Sequence, residues 1–219
     1  MSRYTLEEEE QIASLKAFWA KYGNFILTVL IIVFGAFAAN NGWKWWQARS
    51  ATQAVVPYEK LEKALDKGDL TLAQQIQNSI ADEHKRSPYA PRGAMMLSKA
   101  LFDQGKVTEA KTQLQWVVDH SSLDEYTAGA SLMLSAILLD EKQYDQALAL
   151  LSKDYPGFAG LFHDRKGDIA LARNDTSTAR TEYGEALKKI QADSPWKTVI
   201  ERKLAALPAA QPATGEQSK

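Results

Sequence analysis

The first strong pattern in the chain is a continuous apolar stretch near its N-terminus. No charged residue occurs between Lys21 and Lys44. A helix of about 22 residues rises roughly 30 Å, which matches the hydrocarbon core of a bilayer. Its centre, Phe25 to Ala39, is apolar on every face, whereas a surface helix of a soluble protein has a single apolar stripe. The pattern therefore predicts one membrane-spanning helix.

Aromatic side chains flank the apolar stretch, as is typical of the two interfaces of a membrane. They are Trp19, Tyr22, Trp43, Trp45 and Trp46. A cleaved signal peptide is the alternative, since Ala36-Phe37-Ala38 fits the pattern of a cleavage site. A signal peptide starts with a short basic segment, however, and residues 7–10 are all glutamate. We therefore expect an uncleaved anchor at residues 22–46, preceded by an N-terminal segment at residues 1–21.

After the anchor, the sequence repeats with a period of about 35 residues. Alanines recur at equivalent positions, each five residues after a position typical of a turn. The alanines are Ala73, Ala110, Ala147 and Ala179, and the turn positions are Gly68, Gly105, Lys142 and Asn174. Two amphipathic helices per unit with this period form the tetratricopeptide pattern. A small residue lets two antiparallel helices cross closely, and leucines fill the space around it.

These patterns predict an all-α fold, with a single N-terminal transmembrane helix followed by a tetratricopeptide-like repeat domain at residues 47–207. The first unit, residues 50–86, departs most from the repeat pattern. Leucines on the shared face of adjacent repeats are the expected core: Leu97, Leu101, Leu114, Leu134, Leu138 and Leu151. Residues 50–207 are expected to fold without the anchor, because stacked repeats supply their own buried faces. A disordered tail is expected at residues 208–219.

Capping residues mark the predicted helix starts. The candidates are Ser87 and Ser194, each before a proline, together with Asp69, Asp175 and Ser122. Ser122 with Glu125 fits a capping box.

Two further features mark boundaries of the repeat domain, one between two units and one at its end. Tyr155-Pro156-Gly157 interrupts the chain between the third and fourth units. A final capping helix is predicted from Pro195 to Leu207. Its apolar face is expected to carry Trp196, Val199, Ile200 and Leu204.

Composition and motifs narrow the function. A net charge of −1 without a basic run gives nucleic acid no attractive surface. The absence of cysteine excludes disulfides and thiolate sites. His84, His120 and His163 stand apart in the sequence, without metal-ligand spacing, and are expected at the surface or at helix ends. Asp164, Asp168 and Glu185 could meet in space. We predict no catalytic, cofactor-binding or metal-binding residue, no small-molecule substrate and no enzyme activity.

A series of short motifs resembles the YfgM-like family, the ancillary subunits of the SecYEG translocon in Gram-negative bacteria. Before the anchor these are Tyr4-x-x-Glu7, Glu10-Gln11 and Leu15-Lys16-x-Phe18-Trp19, and after it Gly42-Trp43-Lys44-Trp45-Trp46. In the last repeat they are Gly157-Phe158-x-x-Leu161, Asp164-x-x-Gly167-Asp168 and Ala179-Arg180-x-x-Tyr183. No single motif is highly specific, but their order along the chain is.

The resemblance implies a single-pass protein of the inner membrane, in contact with its lipid, with residues 1–21 in the cytoplasm and residues 47–207 in the periplasm. Charge alone does not set this orientation, since basic residues flank both ends of the helix. The resemblance also implies association with the SecYEG translocon and with a membrane-anchored periplasmic chaperone. The leading hypothesis is an interaction protein that links export to periplasmic chaperones. The alternatives are an envelope assembly or stress-regulatory scaffold and a membrane-anchored enzyme.

Overall fold

A computed structural model describes residues 6–208 of the chain, with the side chains of residues 10–43 and 53–208. All regular structure in this range is helical, which confirms the predicted all-α fold. The helices are α1 (Leu6–Asp66), α2 (Leu70–Glu83), α3 (Tyr89–Asp103), α4 (Val107–His120), α5 (Asp124–Asp140), α6 (Tyr144–Leu150), α7 (Ala159–Ala172), α8 (Thr176–Lys189) and α9 (Trp196–Ala206). The chain divides into two units, residues 1–49 and 50–219, which are considered separately.

The first unit contains a helical stretch that is long and apolar enough to cross a membrane. It comprises Glu10–Trp43, with a mean hydropathy of 2.1 and only 6% of its most apolar window buried. A core helix of a soluble protein would instead be covered by its neighbours. A signal sequence near an N-terminus can meet the same criteria of length and hydropathy, so the uncleaved anchor stays a prediction. The side chains of Trp45 and Trp46, and those of residues 7–9, lie outside the described residues, as does the tail after Pro208.

The second unit confirms all four predicted turn positions. Gly68, Gly105, Lys142 and Asn174 have φ angles of 70°, 73°, 61° and 62°. After each of them, the next N–H donates to the carbonyl five residues back, at 2.8–2.9 Å: Asp69 to Ala64, Lys106 to Leu101, Gln143 to Leu138 and Asp175 to Ala170. This hydrogen bond is typical of a helix that ends in the left-handed conformation. The same left-handed, hydrogen-bonded turn therefore reverses the chain in each of the four repeats.

The predicted core is also confirmed. The four repeat alanines are fully buried where paired helices cross. All six predicted leucines are buried, among them Leu97, Leu114 and Leu134. Since alanine removes the bulk that would separate two helices, leucines from both sides can close over it. The core follows from the repeated spacing of these two residue types.

Two of the five predicted caps are confirmed. Asp69 accepts the N–H of Leu72 at 3.0 Å, and Asp175 accepts the N–H of Thr178 at 3.0 Å. Ser87 and Ser194 lie one residue before the N-cap positions of α3 and α9, which Pro88 and Pro195 occupy, although their hydroxyl oxygens accept the N–H groups of Tyr89 and Trp196 at 3.3 and 3.4 Å.

The predicted capping box at Ser122 is wrong. Helix α5 begins after Leu123, whose own side chain cannot cap it. Ser121 takes the local hydrogen bond instead, because its hydroxyl oxygen accepts the N–H of Leu123 at 3.1 Å. The hydroxyl of Thr127 then donates to the carbonyl of Leu123 at 3.2 Å. Ser122 is left exposed.

Helix α9 closes the last repeat, as predicted, but only half of its expected apolar face is buried. Ile200 and Leu204 pack in a cluster with Ala179 and Tyr183 of α8. Trp196 and Val199 are 51% and 39% exposed, so this half of the face is open to solvent. The chain break before the fourth unit is confirmed as a short 3-10 turn, Pro156–Phe158.

Candidate protein-binding surface

The three histidines lie in separate environments. His84 caps the end of α2, and the ring of His120 lies 2.9 Å from the Trp116 carbonyl in the last turn of α4. His163 corrects the expectation of a surface position: it is half-buried in the middle of α7, 2.7 Å from the carboxylate of Glu182. In the part of the chain that the structure describes, no three histidine or carboxylate side chains are grouped to hold a metal ion.

Two of the three carboxylates that the sequence singled out do meet. Lys203 of α9 places its ammonium 2.9 Å from both oxygens of Asp164 and 2.8–2.9 Å from both oxygens of Asp168. Glu185 does not join them, because it pairs with Lys188 on the surface at 2.7 Å. Burial raises the pKa of Asp164, while the hydrogen bond from Lys203 opposes that rise. The ion cluster therefore joins α7 to α9.

Tyr183 of α8 completes this cluster from the other side. Its hydroxyl donates to Asp168 at 2.8 Å, and its ring lies under the ammonium of Lys203 at 5.7 Å. Burial raises the pKa of Tyr183, and the hydrogen bond to Asp168 adds to the rise. A methyl group at Gly167 would come within 2.5 Å of this ring. Four motif residues of the last repeat, Asp164, Gly167, Asp168 and Tyr183, thus serve the contact between α7, α8 and α9.

A shallow groove lies beside this cluster and is mainly apolar. Its volume is about 260 Å³, and residues of α5, α7 and α9 line it. The apolar lining residues are Leu132, Met133, Ala136, Leu161 and Trp196. Exposed apolar surface of this kind is typical of sites where another molecule binds. We call this surface the Trp196 groove.

Arg165 also lines the groove, at a position that the repeats make comparable. Met96, Met133 and Arg165 each stand fourteen residues before the repeat alanine of their unit. Two successive repeats therefore have a methionine at this position, and the following repeat has an arginine. Methionine is a flexible side chain that is common on adaptable binding surfaces. The sequence motifs indicated a role for neither Arg165 nor Lys203. The fourteen-residue spacing from the repeat alanine could have indicated Arg165.

Together, these features define a class: a helical-repeat scaffold with an open groove, in one chain with a helix that can span a membrane. Residues 16–209 match the tetratricopeptide repeat-like domain family, and the chain belongs to that family.

Individual relatives extend the match. The chain is 28% identical over 207 residues to the ancillary SecYEG translocon subunit of Neisseria gonorrhoeae, covering 92% of this chain and 98% of the relative. It is 25% identical over 185 residues to the protein of the same name from Escherichia coli, covering 83% and 87%. A third such relative, from Aggregatibacter actinomycetemcomitans, is 27% identical over 184 residues, covering 84% and 90%. The resemblance to the YfgM-like family is thereby confirmed.

Proposed function

We propose that this protein is a non-enzymatic, membrane-anchored ancillary subunit of the SecYEG translocon. The observation that carries the proposal is the extent of the similarity. Relatives with that name match 83–92% of the chain, and the family match at residues 16–209 takes in the apolar helix as well as the repeats. The apolar stretch Glu10–Trp43 supplies the length that an anchor needs.

The proposal includes a location. Residues 22–46 lie in the inner membrane, residues 1–21 in the cytoplasm, and residues 47–207 in the periplasm. Carbonate extraction and N-terminal sequencing test the anchor, since a cleaved signal would give a soluble product that begins near Ala39.

Because the chain has no cysteine, single substitutions test the orientation directly. A membrane-impermeant maleimide should label Gln115→Cys in intact spheroplasts and Glu10→Cys only after lysis. Both positions are exposed. The reverse pattern of labelling contradicts the proposed orientation.

The proposed partners are the translocon and a membrane-anchored periplasmic chaperone, which the protein links to export. An anchored domain has an effective concentration in the millimolar range toward its membrane neighbours, so weak contacts are enough. The anchor and the segment before it contact the channel, and the repeats contact the chaperone.

Photocrosslinkers test this division. Phe18 and Phe34 are exposed on the first unit, and Gln115 and Lys188 are exposed on the repeats. Crosslinkers at the first pair should capture translocon subunits, and those at the second pair a periplasmic chaperone. Replacement of residues 1–46 by an unrelated anchor should weaken translocon capture and spare chaperone capture. If no position captures either partner, an envelope assembly or stress-regulatory scaffold becomes the better account.

A further inference from the structure

The guanidinium of Arg165 is poorly paired for a group with so little exposure. Its side chain is 28% exposed, and its closest carboxylate oxygen, on Asp168, lies 3.5 Å away. It makes no hydrogen bond to any residue between 6 and 208, and its Nε is buried without a partner. Arginine carries five N–H donors, and buried donors are normally satisfied. Arg165 therefore has unused capacity to bind an acceptor.

Asp168 cannot fill that role, because its carboxylate is already engaged. Lys203 approaches both of its oxygens at 2.8–2.9 Å, and the hydroxyl of Tyr183 donates to it at 2.8 Å. Asp164 is likewise held by Lys203. Arg165 balances the second carboxylate through its ion pair with Asp168 at 3.5 Å, but no side chain in the cluster accepts a hydrogen bond from its guanidinium at the edge of the Trp196 groove.

The side chains around Arg165 indicate which kind of ligand could bind its guanidinium. Leu132, Met133 and Ala136 line the groove from α5, and Trp196 lines it from α9. A ligand in the groove thus contacts apolar side chains of both helices beside the guanidinium. Arginine binds carboxylates in a bidentate manner. Asp164 also lines the groove, and Asp164 and Asp168 are balanced by Lys203 and Arg165, so the site has no surplus positive charge and suits a single carboxylate better than a phosphate dianion.

We propose that the Trp196 groove binds a polypeptide segment with apolar side chains on both sides of an aspartate or glutamate, whose carboxylate pairs with Arg165. This inference rests on the proposed function as an interaction protein, and it names the chemistry of the partner. The apolar side chains cover Trp196 and the lining of α5. The carboxylate accepts hydrogen bonds from the exposed part of the Arg165 guanidinium, whose side chain is 28% exposed.

The full chain in lipid nanodiscs is the sample for the test, with empty nanodiscs as the control for binding to lipid. The probe is the fluorescein-labelled peptide SGLFDLFGS, blocked at both ends and followed by fluorescence anisotropy. Two companion peptides vary one feature each: SGLFNLFGS lacks the charge, and SGSGDSGGS lacks the apolar side chains. A third peptide, SGLFLF with a free C-terminus, carries only a terminal carboxylate. The aspartate peptide should bind about tenfold more tightly than its asparagine twin, and the peptide without apolar residues should not bind.

Variants assign the effect to residues. Trp196→Ala should lower the affinity for the aspartate peptide about tenfold. Arg165→Gln should abolish the preference for the aspartate peptide over the asparagine peptide. Arg202→Gln, on α9, is the matched control for Arg165→Gln, and Leu72→Ala, on α2, is the matched control for Trp196→Ala. Both control residues are exposed and lie outside the groove. Melting curves exclude unfolding as the cause of any loss.

Several results overturn the proposal. These are equal binding of the aspartate and asparagine peptides, equal losses in the control variants, or preference for the free terminal carboxylate. It is also overturned if Trp196→Ala dissociates a dimer, or if removal of residues 209–219 is required for binding, since a second copy or the chain's own tail then occupies the groove. Translocon capture at Phe34 is independent of these measurements. Successful capture without peptide binding overturns the ligand assignment alone.

Discussion

Leu134 and Trp196 belong to two regions of the repeat domain that use large apolar side chains differently. Leu134 is 2% exposed in the core that α5 shares with its neighbours, whereas Trp196 is 51% exposed at the rim of the groove. Polar groups differ in the same way. Ser98, buried in the core, donates to the carbonyl of Ala110 at 2.9 Å, while Arg165 at the groove makes no hydrogen bond to the described side chains. Leu134 and Ser98 are thus satisfied within the core, and the groove leaves Trp196 and Arg165 open to a partner.

The largest expected effect is on the core side of this comparison. Leu134→Ala removes a buried side chain and leaves a cavity, so it should lower the free energy of unfolding by about 2–5 kcal/mol. Leu72→Ala, at a leucine that is 44% exposed, is the control and should change it by no more than about 0.5 kcal/mol. Thermal melting of the nanodisc-embedded protein measures both. Similar melting of the two variants would mean that Leu134 does not support the core.

The contact between α7 and α8 should be nearly as sensitive. Gly167→Ala places a methyl group 2.5 Å from the ring of Tyr183, and this overpacking should cost about 1–3 kcal/mol. Gly184→Ala in α8 meets no atom within 4 Å and should stabilise the helix by up to about 1 kcal/mol. Urea unfolding that finds the two variants equal would exclude a tight contact at Gly167.

Helix caps give the next effect in size. Asp175→Ala removes the acceptor for the N–H of Thr178 and should cost about 1 kcal/mol. Ser122→Ala should cost almost nothing, since Ser121 and not Ser122 accepts the local N–H. Destabilisation by Ser122→Ala comparable to that of Asp175→Ala would restore the capping box that the sequence predicted.

The repeat period explains why so much of the fold could be predicted. The alanine spacing set the register of every unit, and the register located the core leucines and the four left-handed turns, including Lys142 and Asn174, which are not glycine. Local hydrogen bonds were less predictable, since Ser121 and Ser122 both suit a helix start and only the path of the chain decides between them.

The groove could not be predicted from the sequence in the same way. Trp196 and Val199 have the spacing of a buried face, and their exposure depends on where α9 meets α7 and α8. Lys203 reaches Asp164 and Asp168 from more than thirty residues away in the sequence. Long-range placement of this kind leaves no local signal.

A smaller effect is expected at the turns. Lys142 adopts a φ of 61°, which glycine tolerates better than a residue with a Cβ. Lys142→Gly should therefore stabilise the domain by about 0.5–1 kcal/mol. Asn174→Gly should gain less, because asparagine visits this conformation more readily. Chemical denaturation compares the two variants, and a loss of stability in Lys142→Gly would contradict the expected strain.

The most direct test of the difference between core and groove measures stability and peptide binding on the same samples. Trp196→Ala and the parent protein, both in nanodiscs, are melted and then titrated with the labelled aspartate peptide. We expect the melting midpoint of Trp196→Ala to equal that of the parent protein, while its affinity for the peptide falls about tenfold. A clear fall in the melting midpoint, or an unchanged affinity, would contradict the assignment of Trp196 to a binding surface.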